Sequence, residues 1–222
     1  MIEKERKETL LLALNKLEAW HEIQNEMGRL TAAFNFHQKD MVLNHFAMEA
    51  EDVSLEYADE GRFEGPEAVK AALEELLDKP AKPGEMIDLQ LTTPMIEVAD
   101  DGKTAKCIWW CPGVGANVDN EGAHALWIWG QIAVDFILLD EKWKVWHLHY
   151  FRLIHCAYEQ GWVEDLSRIN RPNKAMHPLS LPSTYHNPYS PLSIRDGIPC
   201  PPRPYKTYTE KDRYWELTRD KR

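Results

Sequence analysis

The sequence lacks most of the features that would tie it to a large function class. It has four cysteines, Cys107, Cys111, Cys156 and Cys200, with no C-x-x-C pair among them. In a chain of 222 residues that calls for neither a disulfide framework nor a thiolate metal site, and reduced thiols are expected. Positive charge is in deficit: 26 Lys and Arg face 36 Asp and Glu, a formal net charge of −10, and no basic stripe interrupts the balance. Nucleic acid and anionic membrane are therefore not expected as partners. Long apolar runs are missing too. The longest, Ile132 to Leu139, is broken by Asp135, and Met1 to Leu10 is charged where a signal sequence would be apolar. No membrane span is expected, and the expected location is the cytoplasm. The motifs G-x-G-x-x-G, G-x-S-x-G and H-E-x-x-H and the P-loop are all absent, which argues against nucleotide-dependent and serine- or zinc-hydrolase chemistry. No cofactor and no metal is expected.

A hydrophobic content of 44% is enough for one sizeable core. From Glu3 to Phe36 apolar residues recur near helical spacing with no proline, which predicts one long helix or two consecutive ones. A short helix is expected over Asp40 to Phe46. Val53, Leu55 and Tyr57 then alternate with polar residues up to an Asp-Glu-Gly turn, which predicts a strand. Gly65-Pro66 opens a helix to Asp78, with proline at the first helical position. The remainder to Cys156 reads as strands: Ile87 to Val98 with Pro94 as an edge or bulge, Thr104 to Trp110 ending in a Cys111-Pro112-Gly113 turn, His124 to Leu139, and Lys142 to Ile154. Helices first and long antiparallel strands afterwards predict an α+β fold. Nine of the fourteen prolines fall in residues 171–205, which excludes regular helix or central strand there. Tyr185, Tyr189, Leu192 and Ile198 in that stretch suit an ordered arm laid over another surface better than a disordered tract. The expected division is a domain over 1–165 and a Pro-rich C-terminal extension over 166–222, packing on the domain or on a neighbouring subunit.

The helix ending "MGRLTAAFNFHQKDMVLNHF", the turn-to-helix "GRFEGPEAVKAAL" and the closing "WIWGQIAVDFILLDEKWKVWHLHYF" resemble the SnoaL-like branch of the nuclear transport factor 2-like superfamily. The resemblance spans about Glu18 to Trp162. It implies a conical α+β barrel, a curved antiparallel sheet wrapped around N-terminal helices and enclosing a small-molecule cavity, and a homodimer or homotrimer. Members include dehydratases, dehydrochlorinases, isomerases, polyketide cyclases and lyases, and others bind without catalysis. Dehydratase-like members carry a Tyr and an Asp on the first helix where this chain has Leu30 and Asn35, and a helper His where Met86 to Thr92 has none. The arginine of the last strand has a counterpart in Arg152.

The last strand reads Trp143 to Arg152. If Lys144 faces solvent, strict alternation turns Val145, His147, His149 and Phe151 inward. His147 or His149 would then be a general base on the cavity wall, or both would only hydrogen-bond in the core. A metal held by this His-x-His pair with Asp135 or His37 is disfavoured by the lack of a well-spaced carboxylate. Asp135 shares a face with Trp127, Trp129, Gln131 and Ala133; that mixed face is either a cavity wall or a subunit interface. Asp135 would orient a histidine, or simply pair with Lys or Arg. Trp109, Trp110, Trp127 and Trp129 form an indole-rich wall for an aromatic or polycyclic ligand, or pack the core. Asn35 and His37 close the first helix at the expected cavity mouth. Arg152 and Tyr150 are candidate electrophiles that alternation points away from the two histidines; only a bulge would bring the two sets together. The expected function is a cofactor-independent lyase, dehydratase or isomerase working by proton transfer on a hydrophobic small molecule. The alternative is a non-catalytic binding or assembly protein.

Overall fold

The computed structural model describes residues 2–78, 82–166 and 177–218. Helix α1 (Ile2–Asn35) is a single unbroken helix. Its second half buries Ala19, Ile23, Met27, Leu30 and Ala33, a stripe at spacings of three and four that packs into the main core. Helix α2 (Lys39–His45) follows a tight turn and is clamped to α1 by His45 Nδ1, 2.6 Å from Glu26 Oε1. Burial pushes the Glu26 carboxyl up, but the hydrogen bond and charge of His45 outweigh it and hold the group below its ordinary value. Helix α3 (Pro66–Leu77) begins where the sequence places it. Gly65 takes the positive φ of 84° that precedes the helix, Pro66 occupies the first turn, and Gly65 N donates to Val53 O.

Strands β1 (Ser54–Tyr57), β2 (Arg62–Glu64), β3 (Met86–Leu89), β4 (Thr92–Val98), β5 (Thr104–Asp119), β6 (Gly122–Leu139) and β7 (Lys142–Ala157) form one sheet in the order β2-β1-β7-β6-β5-β3, with β4 also on β5. The sheet is curved and open. It is also mixed: β1 runs parallel to β7, a pairing the antiparallel expectation missed. The run from Ile87 to Val98 is two strands, with its register shift between Thr92 and Met95, around Pro94.

Strand β5 runs straight through Cys111-Pro112-Gly113, where a turn was expected. The carbonyl of Pro112 accepts from Gln90 N, in the gap between β3 and β4. In a strand the N–H and C=O of one residue point the same way, so proline's missing donor falls in that gap and costs no ladder bond. Gly113 sits so close to β3 that a Cβ there would lie 2.6 Å from Leu89 Cδ2.

Two bulges on β7 decide what each face of the sheet presents. The register with β6 shifts between Asp135, which faces His147, and Phe136, which faces Val145, and again between Trp129 and Gly130. Trp146 is the extra residue of the first bulge. Val145 therefore points into the concave core, while His147, His149 and Phe151 turn to the outer face, and Leu148, Tyr150 and Arg152 turn inward. Residues 177–218 cross that outer face. Tyr185, Ile198, Trp215 and Leu217 pack there on Ile108, Ala133 and Phe151 as a second, smaller apolar cluster.

Candidate functional site

The hollow of the cone is an apolar cavity of about 60 Å3 between the helices and the concave sheet. Met27, Leu30, Thr31 and Phe34 of α1 form one wall, and Leu148, Tyr150, Ile132, Leu55 and Tyr57 of the sheet form the other. The polar side chains among its lining residues are Thr31, Tyr57 and Tyr150. Thr31 Oγ1 already donates to Met27 O. Tyr57 and Tyr150 are paired across the parallel β1–β7 ladder and stack with centroids 5.2 Å apart. Gly130 makes room for this stack: a Cβ there would come within 2.6 Å of Tyr150 Cε2 and 2.5 Å of Phe151 O.

Arg152 lies behind the two phenols, buried and bonded through Nη1 to Asp59 Oδ1 at 2.7 Å. Its guanidinium carbon stands 5.3 Å from the Tyr57 ring centre. Among the described residues nothing accepts from the Tyr150 hydroxyl, although it is fully buried. Burial, with the neighbouring phenol of Tyr57 adding to it, pushes the Tyr150 phenol well above its ordinary value. At neutral pH Tyr150 is thus a buried hydrogen-bond donor in a residue that lines the apolar cavity, and leaving it unbonded costs about 1–3 kcal/mol.

The predicted histidines lie on the other side of the sheet. Asp135 Oδ2 is 3.0 Å from His147 Nδ1 and accepts from Tyr208 OH at 3.1 Å, while Oδ1 accepts from Trp215 Nε1 at 2.6 Å. The pairing of Asp135 with His147 that the sequence suggested is present, but its further partners come from the C-terminal segment. His149 sits between Glu56 Oε1, 3.2 Å from Nε2, and Glu216 Oε1, 3.3 Å from Nδ1. The approach to Glu56 is too oblique for a hydrogen bond. Glu56 in turn accepts from Thr184 N and Thr184 Oγ1. Lys106 reaches Asp212 Oδ1 at 2.9 Å beneath the ring of Tyr205. The space left in this cluster is about 20 Å3. Chemically it is an anchorage that fastens residues 184–216 to the sheet.

The remaining predicted residues divide in the same way. Trp109 points into the main core and packs edge-on against Phe136, whereas Trp110 faces outward under Arg195. Trp127 stacks on Tyr158, and Trp129 is 43% exposed. Alternation therefore separates Trp109, on the concave side, from Trp110, Trp127 and Trp129, which share the outer face. The mixed face of β6 that carries Asp135 is the outer one, and its wholly apolar face lines the core. Asn35 does not face the cavity: its side chain donates to Leu89 O at 2.9 Å and accepts from Leu89 N at 3.1 Å, fastening the end of α1 to β3. His37 is exposed, with φ of 55°, in the turn that ends α1. Tyr150, Arg152 and Trp109 are the predicted strand residues that belong to the concave side. Tyr57 was missed as a site residue, though its alternation with Leu55 placed both on one face. The groups of three or more His, Cys, Asp or Glu that could hold a metal number none among the described residues.

An open α+β cone with a small apolar hollow is the class that this fold and cavity define. The sequence matches the model of the SnoaL-like domain over residues 15–149, and the chain belongs to that family. Solved structures share the fold. A candidate scytalone dehydratase from Novosphingobium aromaticivorans DSM 12444 is 15% identical, covers 70% of this chain and 98% of its own, and superposes with a TM-score of 0.54. A type 2 hexachlorocyclohexane dehydrochlorinase, LinA, is 16% identical with coverages of 70% and 99% and a TM-score of 0.55. A candidate dehydratase of the nuclear transport factor 2-like family from Streptomyces avermitilis is 14% identical, with coverages of 61% and 97% and a TM-score of 0.53. No curated protein matches the sequence.

Proposed function

We propose that the cone binds a small, largely apolar molecule carrying one hydrogen-bond acceptor, such as a carbonyl oxygen, which Tyr150 holds. The observation that carries this reading is the buried Tyr150 hydroxyl, unbonded among the described residues, on the wall of an otherwise apolar cavity. An oxygen placed against it recovers the cost of the unmade bond. The size of the hollow limits the ligand. About 60 Å3 is several-fold below the ~300–1,000 Å3 of pockets that enclose drug-sized molecules. A single small ring or short chain fits this wall better than a polycycle.

Proton-transfer chemistry needs a base, and the cavity lining contains no histidine, carboxylate or lysine among the described residues. A phenol raised by burial donates at neutral pH and does not abstract a proton. Binding is therefore favoured over the lyase or isomerase reading. The catalytic reading retains one support: Tyr57 stacks on Tyr150 and has the Arg152 guanidinium beside its ring, so the two phenols are the pair a reaction here would use. The test is calorimetric binding of cyclopentanone and cyclopentane to the whole protein and to Tyr150→Phe. The ketone is expected to bind the wild type about 5- to 15-fold more tightly relative to the hydrocarbon than it binds Tyr150→Phe, from about 1–1.5 kcal/mol for one hydrogen bond. An unchanged preference in Tyr150→Phe would overturn the assignment. Turnover of a ketone that Tyr57→Phe abolishes without loss of binding would favour the catalytic reading.

A further inference from the structure

The first residue of α1 to enter the core is Ala19. Toward its N-terminus the helix stands off from β4, and an open groove of about 410 Å3 lies between them. Leu17 and Trp20 form its helix wall, and Ile96 and Val98 its wall on β4. Leu17 stays 55% exposed, so apolar surface here is left in water. The groove shares no lining residue with the concave hollow, and its volume falls within the ~300–1,000 Å3 of sites that take small molecules.

Charge decides which molecules suit it. The charged lining residues are Lys16 and Glu97. Lys16 Nζ is already bonded to Asp100 Oδ1 at 2.6 Å. Lys106, which faces Glu97 across the β4–β5 ladder, is bonded instead to Asp212 Oδ1 at 2.9 Å. Both nearby cations are thus committed to other acids, and the half-buried Glu97 carboxyl makes no hydrogen bond or ion pair among the described residues. Burial pushes that carboxyl above its ordinary value, against a smaller opposing pull from the charge of Lys16. An anion entering the groove would meet this like charge on a chain of net charge −10, and a neutral molecule would leave the carboxylate unmatched. A cation meets both the free acid and the indole of Trp20, whose ring attracts positive charge. We propose that the groove between α1 and β4 is a second binding site, for a small organic ammonium whose charge is met by Glu97 and whose apolar body lies against Leu17, Trp20 and Ile96.

Calorimetric titration of the full chain tests this, with 2-phenylethylamine as the ammonium, 2-phenylethanol as its neutral counterpart and phenylacetate as the anion. Circular dichroism melts control for folding. The amine is expected to bind about 5- to 10-fold more tightly than the alcohol, from one partly exposed ion pair and one cation–ring contact, and phenylacetate more weakly than either. Glu97→Gln should weaken the amine about 3- to 5-fold and leave the alcohol unchanged. Leu17→Ala should weaken amine and alcohol alike, by about 2- to 5-fold. Tyr150→Phe should change none of these affinities, because Tyr150 lines the other cavity. No saturable binding of the amine in the millimolar range, or equal binding of phenylacetate, would overturn the proposal. So would amine binding that Tyr150→Phe removes and Glu97→Gln leaves intact, since that places the amine in the concave hollow. A dimer in sedimentation equilibrium that Leu17→Glu breaks, with no binding of the amine, would assign the groove to a second copy of the chain and overturn it as well.

Discussion

Replacing His149 by alanine separates an anchoring histidine from a catalytic one. The ring contacts two carboxylates, Glu56 at 3.2 Å and Glu216 at 3.3 Å, and these are only 3% and 6% exposed. Each ring nitrogen lies beside an acidic oxygen. Without the ring, two carboxylates remain in a poorly hydrated space with no cation between them, and the stack on Phe151 at 3.7 Å is lost. Removing one partner of a buried ion pair costs about 3–5 kcal/mol. For a chain of this size each kcal/mol lowers the melting temperature by roughly 2–4 °C, so His149→Ala is expected to melt about 6–20 °C below wild type. Glu216 belongs to the C-terminal segment, so limited proteolysis should cut residues 177–218 faster in the variant. Adding Glu216→Gln should return about 1–2 kcal/mol by removing one uncompensated charge. Cyclopentanone affinity should stay within about two-fold of wild type, because Tyr150 points to the opposite face of the sheet. An unchanged melting temperature together with lost ligand binding would refute this reasoning and return His149 to the site.

Gly130→Ala is expected to destabilise by more than about 2 kcal/mol and to abolish cyclopentanone binding, because the new methyl meets Tyr150 Cε2 at 2.6 Å and backbone at 2.5 Å; a chemical melt and calorimetry check both. The phenols give an alkaline limit. Tyr150 is held well above its ordinary value by burial, and Tyr208 is raised by burial and then by Asp135. A group raised in the folded state contributes stability that is complete below its unfolded value near 10 and is lost as pH climbs toward the folded value. Stability should therefore fall by about 1.4 kcal/mol per pH unit for Tyr150 above pH ~10, with a smaller share from the less buried Tyr208. In a titration of phenolate absorbance, the Tyr150 signal should appear only as the circular dichroism is lost, and Tyr150→Phe should flatten the dependence. Asn35→Ala removes both bonds to the Leu89 backbone and should cost about 1–3 kcal/mol in urea denaturation while leaving ligand affinity nearly unchanged.

The helices and most strands were legible because their signals are local. Proline at the start of α3, the proline-free periodicity of α1 and the alternation of β1 each fix one element within a few residues. The facing of β7 was not. The order Lys144, Val145, Trp146, His147 contains nothing that marks Trp146 as an extra residue, and a one-residue slip moves every following side chain to the other face. From that slip came the expectation that His147 and His149 line the cavity; Asp135 was expected there from the mixed composition of its own strand face. Pro112 and Gly113 read as a turn because the gap between β3 and β4 that tolerates them is a tertiary feature. The parallel pairing of β1 with β7, which stacks Tyr57 on Tyr150, joins segments nearly a hundred residues apart and leaves no local trace.

In the proposed binding mode a ligand enters the concave hollow and is held by Tyr150, while the histidine cluster on the outer face serves the C-terminal segment. A crystal structure of the protein soaked in cyclopentanone tests it most directly. The ring is expected between Leu30, Phe34 and Leu148, with its oxygen about 2.7 Å from the Tyr150 hydroxyl. Density for the ketone beside His147 and His149 instead, with the hollow unchanged, would contradict it.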